Sequence, residues 1–281
     1  MKVKPHKLAE RWEFEERLAS NRHNMDHAQN TLARGDGDAQ MCHLTLLEAS
    51  LQNGCLALIL DRGDEEARRG FSQAVEHAIE LLDATAKFMR AYHVEIEASK
   101  EGIRPLAIHE KVPSREQRLA VHYYYLALLT VGCFGEATAI ARIAAYPEER
   151  YRSPNVIAGE DFYTNIRAYK AWLRGEHGLA RKEGLAALKA SHNARVRPEI
   201  AAFLAMTTGD QDGFLKHLDE RLATHRKQYQ RDDNAPEGVI CQPGLMLCRW
   251  AIDRGLRAED HPYLPLRFLP NYSSTMQASV D

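Results

Sequence analysis

Two histidines and an aspartate near the amino terminus have the spacing of a metal-binding helix. His23, Asp26 and His27 stand at positions i, i+3 and i+4, so a helix would present all three on one face. Two imidazoles and a carboxylate are suitable zinc ligands, but no third histidine follows at motif spacing and polar residues surround the three. We interpret the stretch as a solvated helix face and predict no metal site.

Motifs of the common enzyme classes do not occur in the chain. The sequence IHEKV at 108–112 lacks the second histidine of a metalloprotease motif, and no G-x-S-x-G, P-loop or G-x-G-x-x-G pattern is present. Cys42 and His43 are adjacent, but successive residues on a helix point about 100° apart, so adjacency does not make them a catalytic pair. We predict that the protein is not an enzyme and has neither catalytic residues nor a cofactor.

Two groups of side chains are candidates for contact with a partner. In VHYYYLALL, Tyr123 and Tyr124 diverge on a helix, so at least one is expected at a hairpin edge, where tyrosine suits an interface. Core packing with a satisfied hydroxyl is the interpretation we favour for this pair. The second group is acidic and lies in or beside long loops, either simply solvated or forming a rim for a basic partner. It comprises Glu160, Asp161, Asp232, Asp233 and Glu237.

The composition is that of a water-soluble protein with balanced charge. The 281 residues include 37 basic and 39 acidic side chains, so no whole-chain field favours nucleic acid or an anionic membrane. Five scattered cysteines without a C-x-x-C pair predict neither a disulfide framework nor a zinc knuckle. No apolar run has the length of a signal-peptide core near the start or of a membrane helix elsewhere. We expect a cytoplasmic protein that binds neither nucleic acid nor membrane.

The elements that position these residues are predicted to be helices. Apolar residues recur at helical spacing from Phe71 to Met89. Ser114 and Gln117 form a capping box, and Pro198 and Pro243 stand where a first helical turn is expected. Alternating runs typical of strands are nearly absent. The chain is therefore predicted to be all-α.

Glycines divide the helical stretches into hairpins. Each of five follows the last apolar turn of a helix, where a left-handed backbone favours glycine: Gly63, Gly135, Gly175, Gly209 and Gly255. The acidic residue directly after three of them is expected to cap the next helix: Asp64, Glu176 and Asp210. The step from 175 to 209 has the 34-residue period of tetratricopeptide repeats, but the other steps differ.

These features predict an irregular array of antiparallel helical hairpins, similar to a tetratricopeptide or α-solenoid array. They leave open whether the hairpins are true repeats. No low-complexity linker divides the chain. We therefore predict one domain over residues 1–270, followed by a disordered polar tail over 271–281.

The last third of the chain carries a pattern that resembles a known family. GDQDGFLKHLDERLATH occupies 209–225, GLMLCRWAIDRGL occupies 244–256, and HPYLPLRFL occupies 261–269. This order is similar to that of the immunity protein 49 family, the all-helical antidotes encoded beside toxin genes in bacterial polymorphic toxin systems. The resemblance is best over about residues 160–270 and looser over 28–90.

The resemblance implies an activity that depends on binding. An immunity protein of this kind docks on a cognate toxin, the carboxy-terminal domain of an effector, and blocks its active site or substrate access. The family supplies no catalytic residue, and the toxin would be of the nuclease, deaminase or ADP-ribosyltransferase class. A scaffold that holds peptides in a concave groove is the alternative, which the 34-residue step keeps open.

Overall fold

A computed structural model describes residues 7–35, 38–100, 114–152, 159–233, 235–270 and 272. It describes the side chains of all these residues except 85–100 and 114–120. Ten α-helices dominate these residues, and no strand occurs among them, so the predicted all-α fold is confirmed. The helices are α1 (Arg11–Arg34), α2 (Ala39–Ile59), α3 (Asp64–Lys100), α4 (Ser114–Phe134), α5 (Ala137–Ala145), α6 (Glu160–Leu173), α7 (His177–Ala190), α8 (Arg197–Thr208), α9 (Gln211–Tyr229) and α10 (Gln242–Asp253). Short 3₁₀ turns lie at Glu148–Arg150, Pro236–Val239 and Leu266–Phe268.

The helices pack mainly against their neighbours along the chain. Helix α2 packs against α1 and α3, and the series α6, α7, α8 and α9 packs in sequence. Short connections between such helices make consecutive neighbours antiparallel. Helix α10 departs from this order because it packs back on α4 and α8, which makes the array irregular.

The backbones of α2 and α3 come into direct contact at two glycines. A Cβ atom added to Gly70 would lie 2.5 Å from the backbone nitrogen of Gly54 and 2.9 Å from the carbonyl oxygen of Ser50. On the other helix, a Cβ added to Gly54 would collide with the ring of Phe71. Only residues without a side chain allow this approach, so the two glycines set the distance between the helices.

The hairpin glycines were predicted correctly at four of the five positions. Gly63, Gly175, Gly209 and Gly255 all have a positive φ, as their place after a helix requires. The prediction is wrong for Gly135, whose φ is not in the left-handed region. Glycine is needed there because a Cβ would lie 2.7 Å from the carbonyl oxygen of Val131.

Side-chain capping by the following acidic residue is confirmed only for Asp210. Its Oδ1 accepts a hydrogen bond of 2.9 Å from the Gly213 amide at the start of α9. Glu176 occupies the cap position of α7 without a capping bond and pairs with Arg174 at 2.8 Å. Asp64 is the first residue of α3, and its carboxylate pairs with Arg267 at 3.1 Å.

Two further predictions about helix starts have different outcomes. Pro198 and Pro243 lie in the first turns of α8 and α10, as expected. Helix α4 begins at Ser114, but the capping box of Ser114 and Gln117 lies outside the described side chains. Most of the predicted tail, residues 271 and 273–281, also lies outside the described residues, and the single domain over 1–270 stays a prediction.

Helix α10 is the centre of the carboxy-terminal core. Its residues from Pro243 to Ala251 are all buried. Trp250 on α10 packs edge-on against Tyr169 of α6 and Phe203 of α8, with ring centroids 5.4 and 6.2 Å apart. Arg249 donates to the carbonyl oxygens of Gly132 and Cys133 at 3.3 Å, which satisfies acceptors at the end of α4. The core thus fixes α4, α6, α8 and α10 relative to one another.

Candidate interaction surface

The two tyrosines proposed as partner contacts lie in the core. Tyr124 is 1% exposed, donates to the carbonyl oxygen of Ile143 at 2.7 Å, and stacks on Tyr151 with ring centroids 4.1 Å apart. Tyr123 is also buried, and its hydroxyl contacts the sulfur of Met41 at 3.4 Å. Neither ring reaches a hairpin edge, because both are buried among the residues of the hydrophobic core. The core packing that we favoured is what the structure shows.

The acidic residues at the start of α6 belong to a network of opposite charges. Glu160 is paired with Arg152 at 2.5 Å and with Arg167 at 2.9 Å, and Arg167 also contacts Glu148 at 3.3 Å. Burial opposes ionisation of Glu160, but the hydrogen bonds from Arg167 and Arg152 outweigh it and lower the pKa of this carboxyl. Asp161 beside it is half-buried. The charge of Glu160 is therefore already balanced within the chain.

The acidic residues between α9 and α10 have a different environment. Asp232 and Asp233 are exposed, and within the described part of the chain their carboxylates make no hydrogen bond or ion pair. The main chain is held in place, since the carbonyl oxygen of Asp233 accepts from the Ala9 amide at 3.0 Å. Glu237 is half-buried and accepts a hydrogen bond from Gln52 of α2. Asp232 and Asp233 are thus exposed carboxylates whose charge no cation among the described residues balances.

A cavity of about 270 Å³, lined by both polar and apolar residues, opens beside this segment. Buried residues form its floor and exposed residues stand at its rim, so the cavity communicates with solvent. We call it the Arg221 cavity. Its floor contains Glu199, Arg221 and His225, and its rim contains Asn193, Arg195 and Gln228. Tyr125, Glu237 and Gln242 lie in its walls, together with the apolar side chains of Leu129, Val196, Ile240 and Pro243 and the ring of Tyr229.

Glu199 and Arg221 form a buried ion pair at the floor, in which the two carboxylate oxygens of Glu199 have different partners. Oε1 of Glu199 accepts hydrogen bonds from the hydroxyls of Tyr125 at 2.7 Å and Tyr169 at 2.6 Å. Burial, followed by the charge of Glu199, raises the pKa of both tyrosines, so they remain donors at physiological pH. Oε2 of Glu199 lies 3.5 Å from Nε of Arg221. The spacing of residues along the sequence contains no signal for this group, since its members come from four helices.

His225 at the same floor is a neutral donor. Burial lowers its pKa to about 4, although the hydrogen bond with Gly238 opposes the shift. Its Nε2 lies 2.9 Å from the carbonyl oxygen of Gly238, which can only accept, so Nε2 carries the proton. The positive charge at the floor near neutral pH therefore belongs to Arg221.

Among the described residues, the group with the geometry to hold a metal ion is not the one with metal-binding spacing in the sequence. His23, Asp26 and His27 are exposed on α1. Instead, Nδ1 of His43 and Nδ1 of His77 lie 3.2 and 2.8 Å from the same carboxylate oxygen of Glu80. A hydrogen bond between the His77 imidazole and this carboxylate explains the shorter of the two distances. The sequence did not indicate this group because His43 and His77 come from different helices.

The cysteines have the environment of structural residues. Burial raises the pKa of the thiols in α2, in α4, in α10 and at the residue before α10, which keeps them protonated and weak as nucleophiles. This applies to Cys55, Cys133, Cys241 and Cys248.

Comparisons with known proteins identify a family. Curated proteins and solved structures give no match. The model of immunity protein 49 matches residues 61–268, more than two thirds of the chain, and includes all the residues of the Arg221 cavity. The match supports a role in immunity and a toxin as partner, and families of this kind are generally not enzymes. No helix among the described residues is long and apolar enough to cross a membrane. The chain belongs to the immunity protein 49 family.

Proposed function

We propose that this protein binds one cognate toxin domain in the cytoplasm and neutralises it by covering its active site or its substrate access. The observation that carries the proposal is the family match over residues 61–268. The buried, protonated cysteines are consistent with activity by binding. A helical core that joins α4, α6, α8 and α10 suits this role, because a preorganised surface loses little entropy on association.

The surface between α9 and α10 is the part of the molecule that we propose to face the toxin. Asp232 and Asp233 supply unbalanced negative charge, and Glu237 lies next to them in the wall of the Arg221 cavity. Toxins of the nuclease, deaminase and ADP-ribosyltransferase classes act on anionic substrates, so basic residues are expected on their substrate-binding surfaces. Charge of opposite sign on the antidote would accelerate association and favour the correct partner.

Glu160 and Asp161 contribute less to this surface in our proposal. The ion pairs of Glu160 with Arg152 and Arg167 would have to break before its carboxylate contacted a toxin. Asp161 is half-buried on the same turn. We place Tyr123 and Tyr124 outside the interface, because burial in the core prevents their contact with another protein.

Co-expression tests the proposal in cells. The toxin domain encoded beside this chain is expressed from an inducible promoter, with and without the chain, and viable cells are counted. We expect survival only when the chain is present. Equal killing in both cultures contradicts the proposal. Recovery of several unrelated peptides, instead of one stoichiometric toxin, would favour a peptide-binding helical scaffold.

A further inference from the structure

Arg221 is a buried cation that lacks a full set of hydrogen-bond acceptors. Only 8% of the residue is exposed, and within the described part of the chain its Nε and Nη1 have no hydrogen-bond partner. A guanidinium stays protonated in proteins, so burial does not remove the charge. A buried charge is unfavourable until acceptors of suitable geometry surround it. The side chain is therefore suited to bind acceptors that come from outside the chain.

The carboxylate of Glu199 does not supply these acceptors. Its Oε2 lies 3.5 Å from Nε of Arg221, well beyond the roughly 2.7–2.9 Å of a charge-assisted hydrogen bond. The hydroxyls of Tyr125 and Tyr169 hold the other oxygen of this carboxylate toward α4 and α6. The tyrosines thus stabilise Glu199 without bringing it against the guanidinium.

A second side chain with an unpaired donor lines the same cavity. Nε2 of Gln242, in the first turn of α10, is buried and has no hydrogen-bond partner among the described residues. Both Gln242 and Arg221 line the cavity of about 270 Å³. A water molecule takes about 30 Å³ of the liquid, so the cavity has room for a carboxylate on a short aliphatic stem.

We propose that the Arg221 cavity receives the carboxylate of one aspartate or glutamate side chain of the bound toxin. The inference rests on the proposed function. Parallel N–H groups of a guanidinium fit the two oxygens of a carboxylate, and the Gln242 amide offers a third donor. Glu199 and Glu237 also line the cavity, and their negative charge favours a monoanionic carboxylate over a phosphate dianion.

A carboxylate in this cavity would anchor the interface. Residues that dominate binding lie in desolvated pockets, and arginine is enriched among them. The exposed rim residues Asn193, Arg195 and Gln228 are placed to exclude water once a partner covers the opening. Asp232 and Asp233 outside the cavity attract a basic surface, whereas the cavity selects a toxin that carries an acidic residue within that surface.

Acetate is the probe for the cavity in the free protein. It is titrated at constant ionic strength while ¹H–¹⁵N NMR follows the Nε–H signals of the arginines, with inorganic phosphate titrated in parallel. We expect a saturable shift of the Arg221 signal with acetate and a weaker response to phosphate. Gln242→Leu should weaken acetate binding about tenfold. Arg197, whose Nη1 is already bonded to the carbonyl oxygens of Leu188 and Ser191, is the internal reference.

Binding of the toxin tests the source of the carboxylate. Arg221→Lys keeps the charge but removes the planar fork, and should raise the toxin Kd about tenfold or more, mainly through faster dissociation. Arg181→Lys is the matched control, because Arg181 is exposed on α7 outside the cavity, and it should change the Kd by less than about threefold. Thermal unfolding of each variant is measured first. If Arg221→Lys does not fold, Gln242→Leu in the wall of the same cavity takes its place.

The outcomes separate the inference from the proposed function. No response to acetate, together with wild-type toxin affinity of Arg221→Lys, would show that the cavity holds only water and overturn the inference. Acetate binding with unchanged toxin affinity would assign the cavity to a small carboxylate and also overturn it. If the wild-type chain does not bind the toxin at all, the proposed function fails, and the toxin is not the source of the carboxylate. The acetate titration then still reports on the cavity itself.

Discussion

His225, at the floor of the Arg221 cavity, makes the free energy of unfolding depend on pH. Its folded-state pKa of about 4 lies below the ordinary value of 6.5 because the ring is buried. Between these two values the unfolded chain binds more protons than the folded chain. The free energy of unfolding therefore decreases as the pH falls through this window. The full difference is on the order of 3 kcal/mol.

His225→Gln tests this coupling. Glutamine retains a donor for the carbonyl oxygen of Gly238 but does not titrate. Between pH 7 and pH 4 the wild type should lose about 3 kcal/mol more stability than the variant. Urea denaturation at pH 7, 5.5 and 4 measures the difference. Parallel pH profiles for the two proteins would show that His225 is not the titrating group.

At the scale of single helices, the start of α9 depends on one side chain. Asp210 accepts from the Gly213 amide, whereas Glu176 occupies the same position before α7 without a capping bond. Asp210→Ala should lower the free energy of unfolding by about 1 kcal/mol. Glu176→Ala is the matched control and should have a smaller effect, because it removes only an exposed ion pair. Equal losses in the two variants would contradict the capping assignment.

The contact between α2 and α3 permits a second test at this scale. In Gly70→Ala the new methyl group would meet the backbone of Gly54, and the helices must separate. We expect a loss of about 1–3 kcal/mol in the free energy of unfolding.

Gly178→Ala is the control for this substitution. Gly178 lies in α7 with no atom within 4 Å of an added Cβ, so alanine should stabilise the helix by up to about 1 kcal/mol. Thermal and chemical denaturation compare the two variants. Similar stability for Gly70→Ala and the wild type would show that the helices do not depend on this close approach.

Helical periodicity and glycine positions predicted much about single elements and little about their neighbours. Spacing correctly indicated that Tyr123 and Tyr124 diverge, but it could not show that both directions lead into the core. The pairing of Glu199 with Arg221 joins α8 to α9, and Tyr125 comes from α4. Spacing determines how side chains are directed around their own helix, whereas the choice of packing partners depends on the whole core.

At the scale of the whole molecule, the proposed interface depends on charge. The double reversal D232K/D233K should slow association with the toxin at low salt about tenfold or more and reduce protection in cells. The control E16K/D26K makes the same change of charge on α1, which lies outside the family match. Stopped-flow association at several salt concentrations compares the two variants. An equal effect of both would show that net charge, and not the segment between α9 and α10, is responsible.

The central claim is that this chain neutralises one toxin by stoichiometric binding. The most direct measurement is a titration of the purified toxin domain with the purified chain, with the catalytic rate of the toxin as readout. The account predicts a linear fall in rate that ends at one equivalent of the chain, together with a 1:1 complex by light scattering. An undiminished rate in the presence of excess folded chain would contradict it.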